Sequence, residues 1–135
     1  MLKGTQRVMG LFGSKNGNGK SFLLMVEKAE AGFFTGPSGP QSPEFRLNNG
    51  QMSVGRRFAN DIVLRSTIVS GHHGTLIKGD GTCLYKDHSK NGTWLLRTGS
   101  TELHVKNSTV ELQNGDVLEF GRSQERIFRL YFEVK

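Results

Sequence analysis

The turns Gly55-Arg56-Arg57, Ser70-Gly71-His72-His73, Asp87-His88-Ser89-Lys90-Asn91-Gly92-Thr93 and Asn114-Gly115-Asp116, closed by Phe120-Gly121, share one construction. Each borders a short apolar run and offers hydrogen-bonding groups. Strands that end in polar loops make a binding platform on a rigid scaffold. The loop groups here are an arginine, a serine, a lysine and an asparagine. Together they suit a phosphate and the peptide that bears it.

Outward from these turns, residues 52–54, 61–64, 75–78, 82–86, 93–96, 117–120 and 127–134 are strand-length and rich in β-branched or aromatic side chains. Gly79-Asp80-Gly81 reads as a tight turn joining two of them. Asn48-Asn49-Gly50 reads as a hairpin turn between strands at 45–47 and 52–54. Residues 21–28 form a compact apolar run suited to a buried strand. The final run alternates apolar and polar residues from Phe128 to Phe132, as a strand with one wet face does. Residues 31–43 carry Gly32, Gly36, Gly39, Pro37, Pro40 and Pro43, which predicts a loop. Residues 1–20 are Gly-, Lys- and Asn-rich and read as a flexible tail, with a short strand near Val8 to Phe12. No segment carries a helical stripe and no internal repeat is present. About ten short strands with frequent turns predict an all-β sandwich.

The chain has 135 residues, which fits one domain spanning 21–135 behind the tail. Such a length buries about two-thirds of the extended-chain surface, enough for a core without disulfides or metal. Cys83 is the only cysteine, so no intrachain disulfide forms and a reducing, intracellular setting is expected. Met1 to Arg7 lacks the apolar stretch of a signal peptide, and no apolar run reaches the length of a membrane span. The net charge of +6 favours an anionic partner: nucleic acid, phosphate or an acidic peptide. The basic residues are nevertheless spread out, as on an ordinary soluble surface.

Arg56 follows Gly55 at a strand end, where its planar fork grips phosphate oxygens and the glycine leaves the approach open. Ser70 opens the next loop, where its hydroxyl and its backbone N–H are both expected to point at one anion. Lys90 supplies a point charge in the third loop. Asn91 offers a carbonyl and an amide for the main chain of a bound peptide. Asn91-Gly92 is also a turn pair in its own right, and its spacing does not choose between the two roles.

Gly55-Arg56, Ser70-x-x-His73, Asn91-Gly92-Thr93, Gly115-Asp116 and Phe120-Gly121, in this order and spacing, resemble the forkhead-associated (FHA) domain family. The matching core runs from about Met52 to Gly121, and with its flanking strands the resemblance extends over 20–135. It implies a β-sandwich of about eleven mostly antiparallel strands. It also implies recognition of phosphothreonine peptides through loops at one end. By the same resemblance Arg56 and Ser70 contact the phosphate, and Lys90 lies near the phosphothreonine. Asn91 holds the peptide backbone, and His73 is a buried brace. Gly55, Gly92, Thr93, Gly115, Asp116 and Gly121 are structural. Gly71 stands where many members place Arg, Lys or Asn as an extra phosphate contact. That departure weakens binding unless Lys90 or Arg57 compensates. Ile68 occupies the place that reads the third residue after phosphothreonine, and an apolar group there disfavours an acidic one. Residues 29–44 look longer than usual between the first two strands.

Other readings fit less well. Gly19-Lys20-Ser21 lacks the glycine of a phosphate-binding loop five places earlier, where Ser14 stands. His72, His73, His88, His104 and Cys83 have no metal-ligand spacing, so no metal or cofactor is expected. Ser70 lies in no nucleophile-elbow motif, and no kinase motif is present, so no catalytic residue is assigned and no enzyme is expected. Two rivals remain: nucleic-acid binding, and a sandwich that associates or dimerises without phosphate. Trp94 and the phenylalanines fall in strand patterns rather than on a basic stripe, which favours a protein partner. The resemblance therefore implies a phosphothreonine-dependent signalling module, belonging to an adaptor or to the regulatory region of a Ser/Thr kinase. Cell-cycle and DNA-damage checkpoint roles in the family imply the nucleus ahead of the cytoplasm.

Overall fold

A computed structural model describes residues 21–30, 43–48, 50–122 and 126–135. Eleven strands occur there: β1 (Phe22–Glu30), β2 (Glu44–Leu47), β3 (Gln51–Gly55), β4 (Ile62–Val63), β5 (Gly74–Lys78), β6 (Cys83–Asp87), β7 (Thr93–Leu96), β8 (Leu103–Val105), β9 (Thr109–Glu111), β10 (Val117–Phe120) and β11 (Arg126–Val134). No helix occurs among the described residues. The expected tail at 1–20, its short strand and most of the Gly/Pro loop lie outside them.

The strands form two sheets, ordered β2-β1-β11-β10-β7-β8 and β4-β3-β5-β6-β9. Every pairing is antiparallel except β3 with β4. Period-two alternation places Phe22 and Leu24 of β1, Leu118 and Phe120 of β10, and Leu130 and Phe132 of β11 in the core. The facing sheet contributes Val54, Ile62, Leu76, Cys83 and Tyr85. Phe22 and Phe132 stack at 5.3 Å, which locks the two longest strands together.

Two sequence expectations need correction. Asn48-Asn49-Gly50 is no hairpin, because β2 and β3 belong to different sheets. The turn signal marks a crossing from one layer to the other, and Gly50 takes a positive φ of 76° there. Gly79-Asp80-Gly81 does close a hairpin, with Gly79 N donating to Thr82 O at 2.9 Å and β5 paired to β6. The second correction concerns β11, whose polar face is not wet along its length. Arg129 is 2% exposed and its Nε lies 2.9 Å from Glu119, while Glu27 also pairs with it. A guanidinium there is tolerated because buried carboxylates neutralise it.

Candidate functional site

β3 ends at Gly55, antiparallel β5 begins at Gly74, and β6 ends at Asp87, with Val54 opposite Gly74 and Gly74 opposite Asp87. The loops that leave these ends, 56–61, 64–73 and 88–92, therefore emerge at one end of the five-stranded sheet. Direct hydrogen bonds tie them together. Arg56 N donates to Ser70 O at 3.0 Å, and Arg56 Nε donates to Val69 O at 3.1 Å. Lys90 N donates to Ser70 Oγ at 3.1 Å. Asn91 Nδ2 donates to Ile68 O at 3.2 Å. Arg56, Lys90 and Asn91 are exposed, and Ser70 is half-buried. The sequence-selected groups thus converge.

One expectation about Ser70 is overturned. Its backbone N–H does not face an anion; it donates to His73 Nδ1 at 3.0 Å. Its hydroxyl oxygen accepts from Lys90 N, which leaves the hydroxyl hydrogen to be given to a ligand. That bond to Nδ1 also fixes the tautomer of His73. With Nδ1 accepting, Nε2 carries the proton and donates to Gly92 O at 3.0 Å. His73 has no exposed surface, stands edge-on to Phe120 at 5.1 Å, and joins the Ser70 loop to the Asn91-Gly92 turn. Burial pulls its pKa below the usual histidine value against the opposing effects of the Gly92 bond and Asp87.

The glycines have steric reasons. A Cβ at Gly55 would meet Gly71 O at 2.3 Å and Asn60 Nδ2 at 2.7 Å, so any side chain there would part the first two loops. Gly92 has φ +85°, and a Cβ on it would strike His104 Nε2 at 2.1 Å. His104 Nε2 donates to Asn91 O at 3.0 Å and its ring stacks on Trp94 at 4.4 Å, so it supports the turn from outside. Asn91 and Gly92 do not close a hairpin, because β6 and β7 lie in different sheets.

Beneath the third loop sits a buried hub around Asp87, which sequence reasoning did not single out. Asp87 accepts from Ser89 N at 3.1 Å, Ser89 Oγ at 2.9 Å, Thr93 Oγ1 at 2.9 Å and Asn107 N at 3.0 Å. Thr93 Oγ1 also lies 2.8 Å from the Tyr85 hydroxyl, and Gly92 N donates to Ser89 Oγ at 2.7 Å. The D-x-S spacing before Asn91-Gly92 was the available signal, since such residues hydrogen-bond nearby backbone. Asn60 was missed too. Its Nδ2 donates to Arg57 O at 2.9 Å and to Gly71 O at 2.7 Å, which sutures the first loop to the second. Asp116, expected to be structural, is gripped in a bidentate way by Arg97 at 2.9 and 2.7 Å and accepts from Gln113 N at 2.7 Å.

Arg97, Arg122 and Arg129 all pair with carboxylates. Among the described residues no carboxylate pairs with Arg56, Arg57, Arg65 or Lys90. Four cations without a carboxylate partner among the described residues thus sit on or beside the three loops, an arrangement suited to an oxyanion. Cys83 is fully buried, and burial pushes its thiol up to about 12, so it is no nucleophile.

A sandwich with this strand order and these loop contacts defines a binding module of the forkhead-associated type. The FHA domain family model matches residues 52–121, and the chain belongs to that family. The FHA domain of an Arabidopsis thaliana hypothetical protein is similar, with a TM-score of 0.63 and 23% identity over 92% of this chain and 93% of that one. The N-terminal FHA domain of S. cerevisiae Rad53p, solved in complex with a phosphothreonine peptide, gives a TM-score of 0.61 and 24% identity over 84% of this chain and 94% of that one. The FHA domain of CT664 from Chlamydia trachomatis gives 0.56 and 26% identity over 82% of this chain and 96% of that one. No curated protein sequence matches the chain.

Proposed function

We propose that this FHA domain binds segments of partner proteins that carry phosphothreonine. The observation that supports this most is the linkage of Arg56, Ser70 and Lys90 by direct hydrogen bonds, with Asn91 tied to Ile68 of the Ser70 loop, at a loop end whose cations have no carboxylate partner among the described residues. Phosphothreonine brings nearly two negative charges and three acceptor oxygens. Arg56 offers a guanidinium fork, Ser70 a hydroxyl proton, and Lys90 an ammonium. Asn91 holds Ile68 O with its amide and keeps its Oδ1 for a peptide N–H. Each charged hydrogen bond contributes about 1.5–3 kcal/mol, while ordering a flexible peptide costs about 2–5 kcal/mol. Two or three such bonds therefore make binding conditional on the phosphate. The Rad53p domain, solved with a phosphothreonine peptide, is a precedent for the fold in this role. We place the module in an adaptor or the regulatory part of a Ser/Thr kinase, acting in the nucleus.

An oriented phosphothreonine peptide library with an unphosphorylated control tests the reading. Phosphorylated peptides are expected to bind and the control is not. Arg56→Lys, which keeps the charge and loses the fork, is expected to weaken binding at least tenfold with the melting temperature unchanged. Equal binding of both libraries would refute the assignment. Tight DNA binding that falls steeply with salt and ignores the threonine phosphate would move it to nucleic acid.

A further inference from the structure

We propose that Arg57 supplies a third basic contact to the phosphorylated segment, beside Arg56 and Lys90 and in place of a side chain at position 71. This inference rests on the phosphothreonine reading above and identifies which residue of the chain completes that site.

Gly71 follows Ser70 directly and carries no side chain. The space is nevertheless filled. A Cβ built on Gly71 would lie 2.7 Å from Arg57 Nε, 3.2 Å from its Cδ and 3.3 Å from its Cγ. The stem of Arg57 crosses the place that a side chain at 71 would take. A side chain at 71 would therefore have to displace Arg57 from this conformation, which a bare glycine permits.

The backbone of Arg57 is held on both sides. Its N–H donates to Gly71 O at 3.2 Å, and its carbonyl accepts from Asn60 N at 3.1 Å and from Asn60 Nδ2 at 2.9 Å. Asn60 Nδ2 also reaches Gly71 O at 2.7 Å. The tethered backbone fixes where the Arg57 side chain starts, so its guanidinium searches a smaller volume beside the Ser70 loop before it meets a ligand. The head carries no competing anion, since no carboxylate among the described residues pairs with it. Its neighbour Arg65 is committed elsewhere: that guanidinium lies 4.4 Å over the Phe58 ring and reaches Arg56 O at 3.4 Å. Arg57 is thus the cation adjoining Ser70 through residue 71 that is fixed by backbone, uncommitted and exposed.

The test compares wild type, Arg57→Ala, Arg57→Gln, Gly71→Asn and the double variant Arg57→Ala/Gly71→Asn. The probe is an immobilised oriented phosphothreonine peptide library with its unphosphorylated control, and the readout is the half-saturating protein concentration. Arg57→Ala and Arg57→Gln are each expected to weaken binding to the phosphorylated library about tenfold, with melting temperatures near wild type. Arg57→Gln keeps the stem across Gly71, so an equal loss assigns the effect to charge rather than packing. In the Arg57→Ala background, Gly71→Asn finds the space vacated and is expected to recover several-fold of the loss. In the wild-type background the same substitution displaces Arg57 and is expected to weaken binding. Affinities of Arg57→Ala and Arg57→Gln within twofold of wild type, while Arg56→Lys still loses binding, would overturn this assignment and leave the phosphothreonine reading intact. No preference of wild type for the phosphorylated library would overturn both.

Discussion

His73 joins the 64–73 and 88–92 loops through opposite edges of one ring. Nδ1 accepts from Ser70 N, and Nε2 gives its proton to Gly92 O. A second proton on Nδ1 would set two N–H groups against each other and charge a ring with no exposed surface. Burial accordingly depresses its pKa below 6.5. The sign of the pH dependence follows. The unfolded chain takes up this proton near 6.5 while the folded chain resists it, so stability is greatest above that value and declines as pH falls toward the folded pKa. His88 adds to the trend, since burial and the charges of His72 and Lys86 depress it as well. Urea midpoints are expected to fall between pH 7.5 and pH 5.5. The His73 ring resonance, followed by NMR, should remain that of the neutral form as the pH falls through 6.5. A ring that titrates at or above the ordinary value would contradict this account.

At the level of elements, the β6–β7 connection depends on a single carboxylate. Asp87 is 2% exposed and accepts from Ser89, Thr93 and Asn107, so its removal orphans several buried donors at once. Asp87→Ala is expected to cost about 3–5 kcal/mol by chemical denaturation and to loosen Lys90 and Asn91. Asp87→Asn keeps the shape and some acceptor capacity and is expected to cost less. If Asp87→Ala unfolded at the wild-type denaturant concentration, the hub would have no structural weight. Several strands were legible because residues 75–78, 93–96 and 117–120 are dense in β-branched, aromatic and aliphatic side chains. β8 and β9 were not. They are three residues each, and Leu103, His104, Thr109 and Glu111 are exposed, so neither burial nor alternation marks them. The Asn48–Gly50 turn failed for a different reason. A chain reversal within one sheet and a crossing between sheets use the same local conformations, and only the partners distinguish them. Of the candidate site, Arg56, Ser70 and Asn91 stood out because they are polar groups in turns that border apolar runs. Asn60 and Asp87 act through backbone groups of other loops, which no local pattern reports.

For the whole molecule, the net charge of +6 is not evenly neutralised. Arg122 and Arg129 are matched by Glu102, Glu119 and Glu27, while Arg56, Arg57, Arg65 and Lys90 meet no carboxylate among the described residues. Four unmatched cations therefore lie on or beside the three loops, where mutual repulsion slightly opposes folding and an anion relieves it. A ligand that binds only the folded form stabilises it by RT ln(1 + [L]/Kd), about 2.7 kcal/mol at a hundredfold excess over Kd. For a domain of this size that corresponds to a rise in melting temperature of roughly 10 °C. A phosphothreonine peptide chosen from the library is expected to produce that shift, and the same peptide without phosphate is expected to produce none. Raising salt from 50 to 500 mM should shrink the shift by screening the exposed cations, and Arg56→Lys should remove most of it. Scanning fluorimetry measures all four conditions on one plate. Equal shifts from the two peptides would mean that affinity comes from flanking contacts, and that the unmatched cations at the loop end do not select for phosphate.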